Sequence, residues 1–414
     1  MSCAQSSPEF RCPGEKYSIS AAVHRGRLAR FYPACRHCPH ALTAVDFSTR
    51  QRRRWAEVHA RHDAGPRLIA EGVAGTWHNE LSPGQIEQLA RAFACQLRRA
   101  RRDEHPPFAV IVAGDGRLLT AQAVAAAVNG VRWAGANVIH IGPASAPCAA
   151  LAADHWQAAG ALLVGNPHGR NNTVGLKFWA ASRPLSAGQG LEWLEPALRA
   201  VADRPTRCYG ALRQVAAEEP YLAVLGEYYH ALRPLRVVVH STCAPAGKYF
   251  AQLAARVTCQ VIPLDDGRRL SDAVTEHAAH FGVLIDDDGE RSELVDEQGR
   301  AIPAERLLLL IARHLLAAEP GGTIALEPEV SRSVAERIAA MGGQTVSAGS
   351  TRAAMEATLR QHGAVLGGGP RGRFWYACGP AVADALRTLT YLLVLSSRSD
   401  RRLSEVLDAE ARLD

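Results

Sequence analysis

No apolar run in this 414-residue sequence approaches the ~20 residues that a membrane-spanning helix requires, and runs such as 307–311 and 391–395 stop far short. No membrane span is expected. The first ten residues lack a basic stretch leading into an apolar one, so no secretory signal is read and the expected compartment is the cytoplasm. Lysine is scarce: of 47 basic residues only Lys16, Lys177 and Lys248 are lysines. With 47% hydrophobic and 21% charged residues, disorder, collagen and coiled coil have no support. At roughly 100–150 residues per domain, the length implies about three domains or more.

Charge is placed unevenly. Residues 1–65 hold 11 Lys/Arg against 5 Asp/Glu, whereas the rest balances at 36 against 36, so the whole excess of +6 sits in the N-terminal segment. Four of the ten cysteines and five histidines fall there too. Cys35 and Cys38 form a Cys-x2-Cys knuckle, and with Cys12 and a nearby His24 or His40 they can complete a tetrahedral Zn²⁺ site. A module so poor in apolar residues would gain a core from the metal. An iron–sulfur centre and unligated cysteines are the alternatives. The basic run at 50–54 reads as a solvated linker, so nucleic acid is not the expected partner. The remaining cysteines read as small buried apolar side chains.

From residue 66 short apolar strands alternate with Ala/Leu/Arg-rich helices, the pattern of sheets covered by helices. Strands at 108–113, 138–141 and 161–164 are interleaved with helices at 121–133 and 148–158. Strands at 235–240, 260–264 and 281–285 follow with a helix at 247–257. The pattern then recurs in strands at 323–326, 344–347 and 364–366 and helices at 330–341, 353–361 and 381–395. The predicted organisation is a Cys/His-rich module at 1–65 and three α/β/α domains at 66–205, 206–302 and 303–414. The second of these ends a strand in Ile285-Asp286-Asp287-Asp288-Gly289-Glu290-Arg291. Alternate carboxylates Asp286, Asp288 and Glu290 can converge on one side of an extended loop, and hard oxygen ligands suit Mg²⁺. An acidic turn with solvated side chains is the alternative.

This loop resembles the metal loop of the α-D-phosphohexomutases, the phosphoglucomutase/phosphomannomutase superfamily, which reads Asp-Gly-Asp-Ala/Gly-Asp-Arg before a Val-Asp-Glu-x-Gly hairpin. That hairpin is Val295-Asp296-Glu297-Gln298-Gly299 here. The likeness continues at Gly72-Val73-Ala74-Gly75-Thr76, Leu81-Ser82-Pro83, Gly142-Pro143-Ala144-Ser145-Ala146-Pro147, Gly175-Leu176-Lys177 and Gly367-Gly368-Gly369. The resemblance implies phosphohexomutase-type domains, Mg²⁺ at Asp286, Asp288 and Glu290, and a phosphorylated hexose as ligand. It also implies ligand contacts from Asp115, Arg117, Lys177 and Arg291. Enzymes of this kind move a phosphoryl group between a catalytic phosphoserine and the two ends of a sugar.

The pattern breaks where that serine should stand. The family loop Thr-Ala-Ser-His-Asn-Pro corresponds to the stretch around Asn166-Pro167-His168, and alternative placements of the gap put Asn166, Pro167 or Val164 at the serine. No serine occurs between Ser145 and Ser182. His168 is a substitute nucleophile in the right loop and Thr173 a weaker one; the alternative for both is ordinary loop polarity. The family arginine of the first Gly-rich loop corresponds to Ala74. The sugar loop Gly-Glu-x-Ser-Gly-His becomes Gly368-Gly369-Pro370-Arg371-Gly372-Arg373, in which the two arginines are expected to form an anion site. The sequence ends at Asp414, where the linker to the family's fourth, phosphate-gripping domain would begin. The expected function is that of a degenerate homologue that binds a phosphorylated sugar without mutase turnover. An active intramolecular phosphotransferase with another nucleophile, and an interaction module working through the basic N-terminus, are the alternatives.

Overall fold

The structure, a computed structural model, describes residues 9–12, 16–29, 32, 35, 38, 40–41, 48–60, 65–101, 108–166, 172–199, 208–264 and 268–411. Its three large sheets share one plan. In the first, Ala109–Gly114 lies between Asn137–Pro143 and Gly160–Gly165, all parallel, and Thr173–Ala180 returns antiparallel to Gly160–Gly165. The second places Arg236–Ser241 between Gln260–Pro263 and Phe281–Ile285, with Ser292–Asp296 antiparallel. The third repeats this with Thr323–Leu326, Gln344–Ser347, Ala364–Gly368 and Phe374–Tyr376. Helices cover the sheets, as the alternating texture requires. A continuous buried core runs from Ile111 in the first unit through Phe281 in the second to Leu392 in the third.

Local chemistry sets the elements. The 18-residue helix Pro83–Ala100 starts on a capping box between Ser82 and Gln85, with proline in its first turn, and buries Ile86, Leu89, Ala90, Phe93, Ala94 and Leu97 at helical spacing. It crosses Ala121–Trp133 at Gly130, where any Cβ would overlap the Glu87 carbonyl. Helix Ala385–Ser397 begins later than the periodicity suggests, because Val382–Ala383 pairs as a strand with Phe374–Tyr376 and Asp384 caps the helix.

One strand departs from the expected division at residue 205. Leu212–Gln214 adds itself in parallel to Asn137–Pro143 and so belongs to the first sheet. Ala211 N donates to Asn137 Oδ1 at 2.8 Å, and all three strand residues are exposed, which leaves no hydrophobic alternation to read.

At the N-terminus Glu9–Arg11 pairs with Ser18–Ser20, followed by helices Ala21–Ala29 and Thr49–Ala60. Among the described residues no helix is long and apolar enough to cross a membrane.

Candidate functional site

The three sheets aim their central strands at one place. Ala109–Gly114 leads into Asp115, Gly160–Gly165 into Asn166, Phe281–Ile285 into Asp286, Thr323–Leu326 into Glu327 and Ala364–Gly368 into the loop holding Arg371 and Arg373. Loops beyond the carboxyl ends of parallel strands are where α/β folds place ligands. The acidic loop is held on both sides: Ala146 N donates to Asp288 O, Ala385 N to Gly289 O, and Ser292 N to Gly372 O. Gly289 adopts φ 75°, and a Cβ there would press on Ser145 at 2.9 Å, so the loop turns tightly against the first unit.

At the centre lies a buried ion-pair cluster. Period-two alternation in Thr173–Ala180 sends Val174, Leu176 and Phe178 into the first unit's core and turns Lys177 and Trp179 to the opposite face. Lys177 Nζ is 2.5 Å from Asp288 Oδ2, 3.1 Å from Glu290 Oε2 and 3.7 Å from Glu71 Oε2. Arg373 grips Glu71 through both terminal nitrogens, at 2.5 and 3.2 Å, and reaches Glu290 at 3.1 Å. Arg352 spans Glu71 and Glu290 at 3.4 Å each, with its guanidinium 4.5 Å from the centre of the Trp179 ring. Three cations thus face three carboxylates, drawn from all three units.

Electrostatics follow the contacts. Burial alone would raise the Glu71 carboxyl, but Arg373, Arg352 and Lys177 hold it well below the usual carboxylate range. Glu290 is likewise lowered against burial by Lys177, Arg373 and Arg352. Burial would lower Lys177, yet Asp288 and Glu290 keep its ammonium raised and charged. Asp286 lies outside this balance: burial, with Asp288 and Glu290 beside it, pushes it up to about 6. Its Oδ1 accepts from the backbone N–H of Glu290 and Arg291, at 2.9 and 3.1 Å.

Next to the cluster is a cavity of about 240 Å³, lined by Asn166, Asp286, Asp287, Asp288, Arg291 and Arg371 among others. It is smaller than the ~300–1,000 Å³ usual for ligand pockets. Asn166 Oδ1 and Arg291 Nε are buried without hydrogen-bond partners. Glu327 Oε2 is also buried and unpartnered, and its carboxylate fills the space over Gly369, where any Cβ would overlap it. Burial raises the Glu327 carboxyl.

Several expected site residues are arranged differently from expectation. Asp115 is engaged within its own loop, accepting from Arg117 N, Arg117 Nε and Thr120 Oγ1, so Asp115 and Arg117 form a latch. Arg371 and Arg373 do not meet in one anion site. Gly372 between them has φ 69°, and Arg373 is buried with Glu71 while Arg371 pairs with Glu329 at 2.7 Å near solvent. His168 lies outside the described residues; Thr173 begins its strand and is buried.

Metal expectations meet the same geometry. Among the described residues no group of three or more His, Cys, Asp or Glu side chains is arranged to hold a metal ion. For Asp286, Asp288 and Glu290 the donor set as arranged does not fit Mg²⁺, because Lys177 lies between the oxygens of Asp288 and Glu290. The Zn²⁺ expectation finds no support at Cys12, Cys35 and Cys38. Cys35 and Cys38 pack with Leu28, Ala41 and Trp55, and Arg27 Nη1 lies 3.5 Å from Cys12 Sγ.

Sequence reasoning missed Glu71, Arg352 and Glu327. Arg352 carried a signal: it opens helix Arg352–His362, where a cation opposes the helix dipole, and such a placement calls for nearby carboxylates. Glu71 sits in a turn and Glu327 after a strand, positions at which an acidic residue is commonplace.

Residues 69–189 match the phosphoglucomutase/phosphomannomutase α/β/α domain I family. The chain is 28% identical over 370 residues to a protein of Xanthomonas campestris pv. campestris named phosphohexose mutases, covering 83% of this chain and 80% of that one. It is 26% identical over 311 residues to an Escherichia coli phosphomannomutase, covering 68% of each. In structure it is similar to a phosphoglucomutase/phosphomannomutase family protein from Burkholderia thailandensis, with a TM-score of 0.74 at 23% identity, over 82% of this chain and 78% of that one. Residues 69–189 thus match a phosphoglucomutase/phosphomannomutase domain I, the chain is similar in sequence to phosphohexose mutases over most of its length, and it shares the fold of the Burkholderia thailandensis protein.

Proposed function

We propose that this chain binds a phosphorylated hexose, or a closely related sugar phosphate, in the cavity lined by residues of all three units and does not interconvert the phosphate position. The observation that carries this reading is Asn166. It follows strand Gly160–Gly165 directly, lines the cavity with Asp286, Asp288 and Arg291, and presents a carboxamide at one of the three positions, with Pro167 and Val164, to which the resemblance assigns the serine. A carboxamide can orient a ligand by hydrogen bonding but cannot accept and return a phosphoryl group. Without a covalent carrier, binding energy alone does not move phosphate from one sugar oxygen to another.

The cavity wall suits such a ligand. Arg291 and Arg371 supply cationic donors for phosphate. Asp286, Asp287 and the Asn166 oxygen supply acceptors for sugar hydroxyls. The carboxylates of Asp288 and Glu290 are neutralised from behind by Lys177, Arg352 and Arg373, which lessens the repulsion an incoming anion meets.

Ligand-observed NMR with glucose 1-phosphate, run beside a coupled assay for glucose 6-phosphate formation, tests the proposal. Binding weakened at least tenfold by Arg291→Ala, with no turnover, is the expected result. Turnover abolished by His168→Ala would replace this reading with that of an active phosphotransferase, and no binding of any hexose phosphate would remove it.

A further inference from the structure

We infer that the Lys177 ammonium is a built-in counter-cation occupying the position a divalent metal would take between the Asp288 and Glu290 carboxylates, so that the acidic loop is complete without metal. The inference rests on position first. Nζ bridges Oδ2 of Asp288 at 2.5 Å and Oε2 of Glu290 at 3.1 Å, on a side chain only 6% exposed. A Mg²⁺ bound to those oxygens needs Mg–O distances of about 2.0–2.1 Å in octahedral geometry, which leaves no space for an ammonium between them.

Charge gives the second argument. Lys177, Arg352 and Arg373 already balance Glu71, Asp288 and Glu290, and the side chains of Lys177, Arg352 and Arg373 are 6%, 2% and 7% exposed. Adding a divalent ion while the three cations remain would leave two positive charges uncompensated, or one with Asp286 ionised. The effective penalty for an unpaired buried charge is several kcal/mol per ion. Nor can Lys177 swing away freely. Its strand is paired on both sides, with Gly160–Gly165 and Gly72–Thr76, which fixes the backbone, and its ammonium, on a side chain only 6% exposed, would have to leave Asp288, Glu290 and Glu71 together. Divalent binding and the Lys177 ion pairs are therefore alternatives, and the fold is built around the second.

This inference is separable from the sugar-phosphate reading because its test needs metal alone. Equilibrium dialysis and the EPR signal of Mn²⁺ measure metal bound by the full chain. Wild type should bind no stoichiometric Mn²⁺ at a concentration of about 1 mM. Lys177→Met should gain one Mn²⁺ per chain with affinity raised at least tenfold, and Lys177→Met with Asp288→Asn should lose it again. Lys177→Gln, which keeps a polar group in the strand, serves as the second variant if the methionine form does not fold. One Mn²⁺ per wild-type chain, lost on Asp288→Asn, would overturn the inference. So would folded Lys177 variants that bind no metal, since the carboxylates would then not be a latent cation site.

Discussion

Removing the Glu71 carboxylate should destabilise the protein far more than the loss of an ordinary surface charge. Glu71 is the shared partner of Arg373 and Arg352, and its side chain is 15% exposed where theirs are 7% and 2%. In Glu71→Ala both guanidinium groups stay buried with only Glu290 between them. Breaking a buried ion pair from one side costs about 3–5 kcal/mol, and the partial exposure of Glu71 places it near the lower figure. For a cooperative unit of 150–250 residues, 1 kcal/mol corresponds to a shift of about 2–4 °C, so a fall in Tm of roughly 6–12 °C is expected. Arg373→Ala should cost a similar amount, because it frees Glu71 and Glu290 together. The double variant should cost less than the sum by about 1–3 kcal/mol, the coupling typical of residues in one network. Urea unfolding followed by circular dichroism supplies the four free energies of the cycle. A single-variant cost below about 1 kcal/mol, or strict additivity, would show that water rather than the partner solvates these charges.

The pH dependence has a definite sign. Glu71 is held below its ordinary 4.5, so its contribution is fully present above that pH and is lost as pH falls toward the depressed folded value. The stability gap between wild type and Glu71→Gln should be constant at neutral pH and close as pH drops below 4.5; a gap independent of pH down to acid unfolding would contradict the ion-pair origin. Gly369→Ala should cost about 1–3 kcal/mol by forcing Glu327 from its place. Glu327→Ala in the same chain should restore most of that loss in thermal melts, and no restoration would place the strain elsewhere.

The parts legible in the sequence are those with local patterns. Period-two strands and 3.6-period helices located the elements of the three sheets, and the run from Asp286 to Arg291 announced the acidic loop. Lys177 and Arg373 were visible as site residues because each stands in a motif. Their meeting was not visible: Glu71 and Arg352 stand in no motif, and Glu290, read as a metal ligand, joins them only when the three units converge. Arg371 and Arg373 looked like one anion site because they flank a glycine. The left-handed turn at Gly372 leaves one near solvent and the other in the cluster. Strand Leu212–Gln214 left no trace because its side chains are exposed and its role is backbone pairing.

Intact mass after incubation with glucose 1,6-bisphosphate bears most directly on the proposed absence of a phosphoryl carrier. The expected result is the unmodified mass of the chain at every incubation time, together with ligand-observed binding of glucose 1-phosphate. A stable gain of one phosphoryl group, mapped to His168 or Thr173 and discharged by added hexose phosphate, would contradict it.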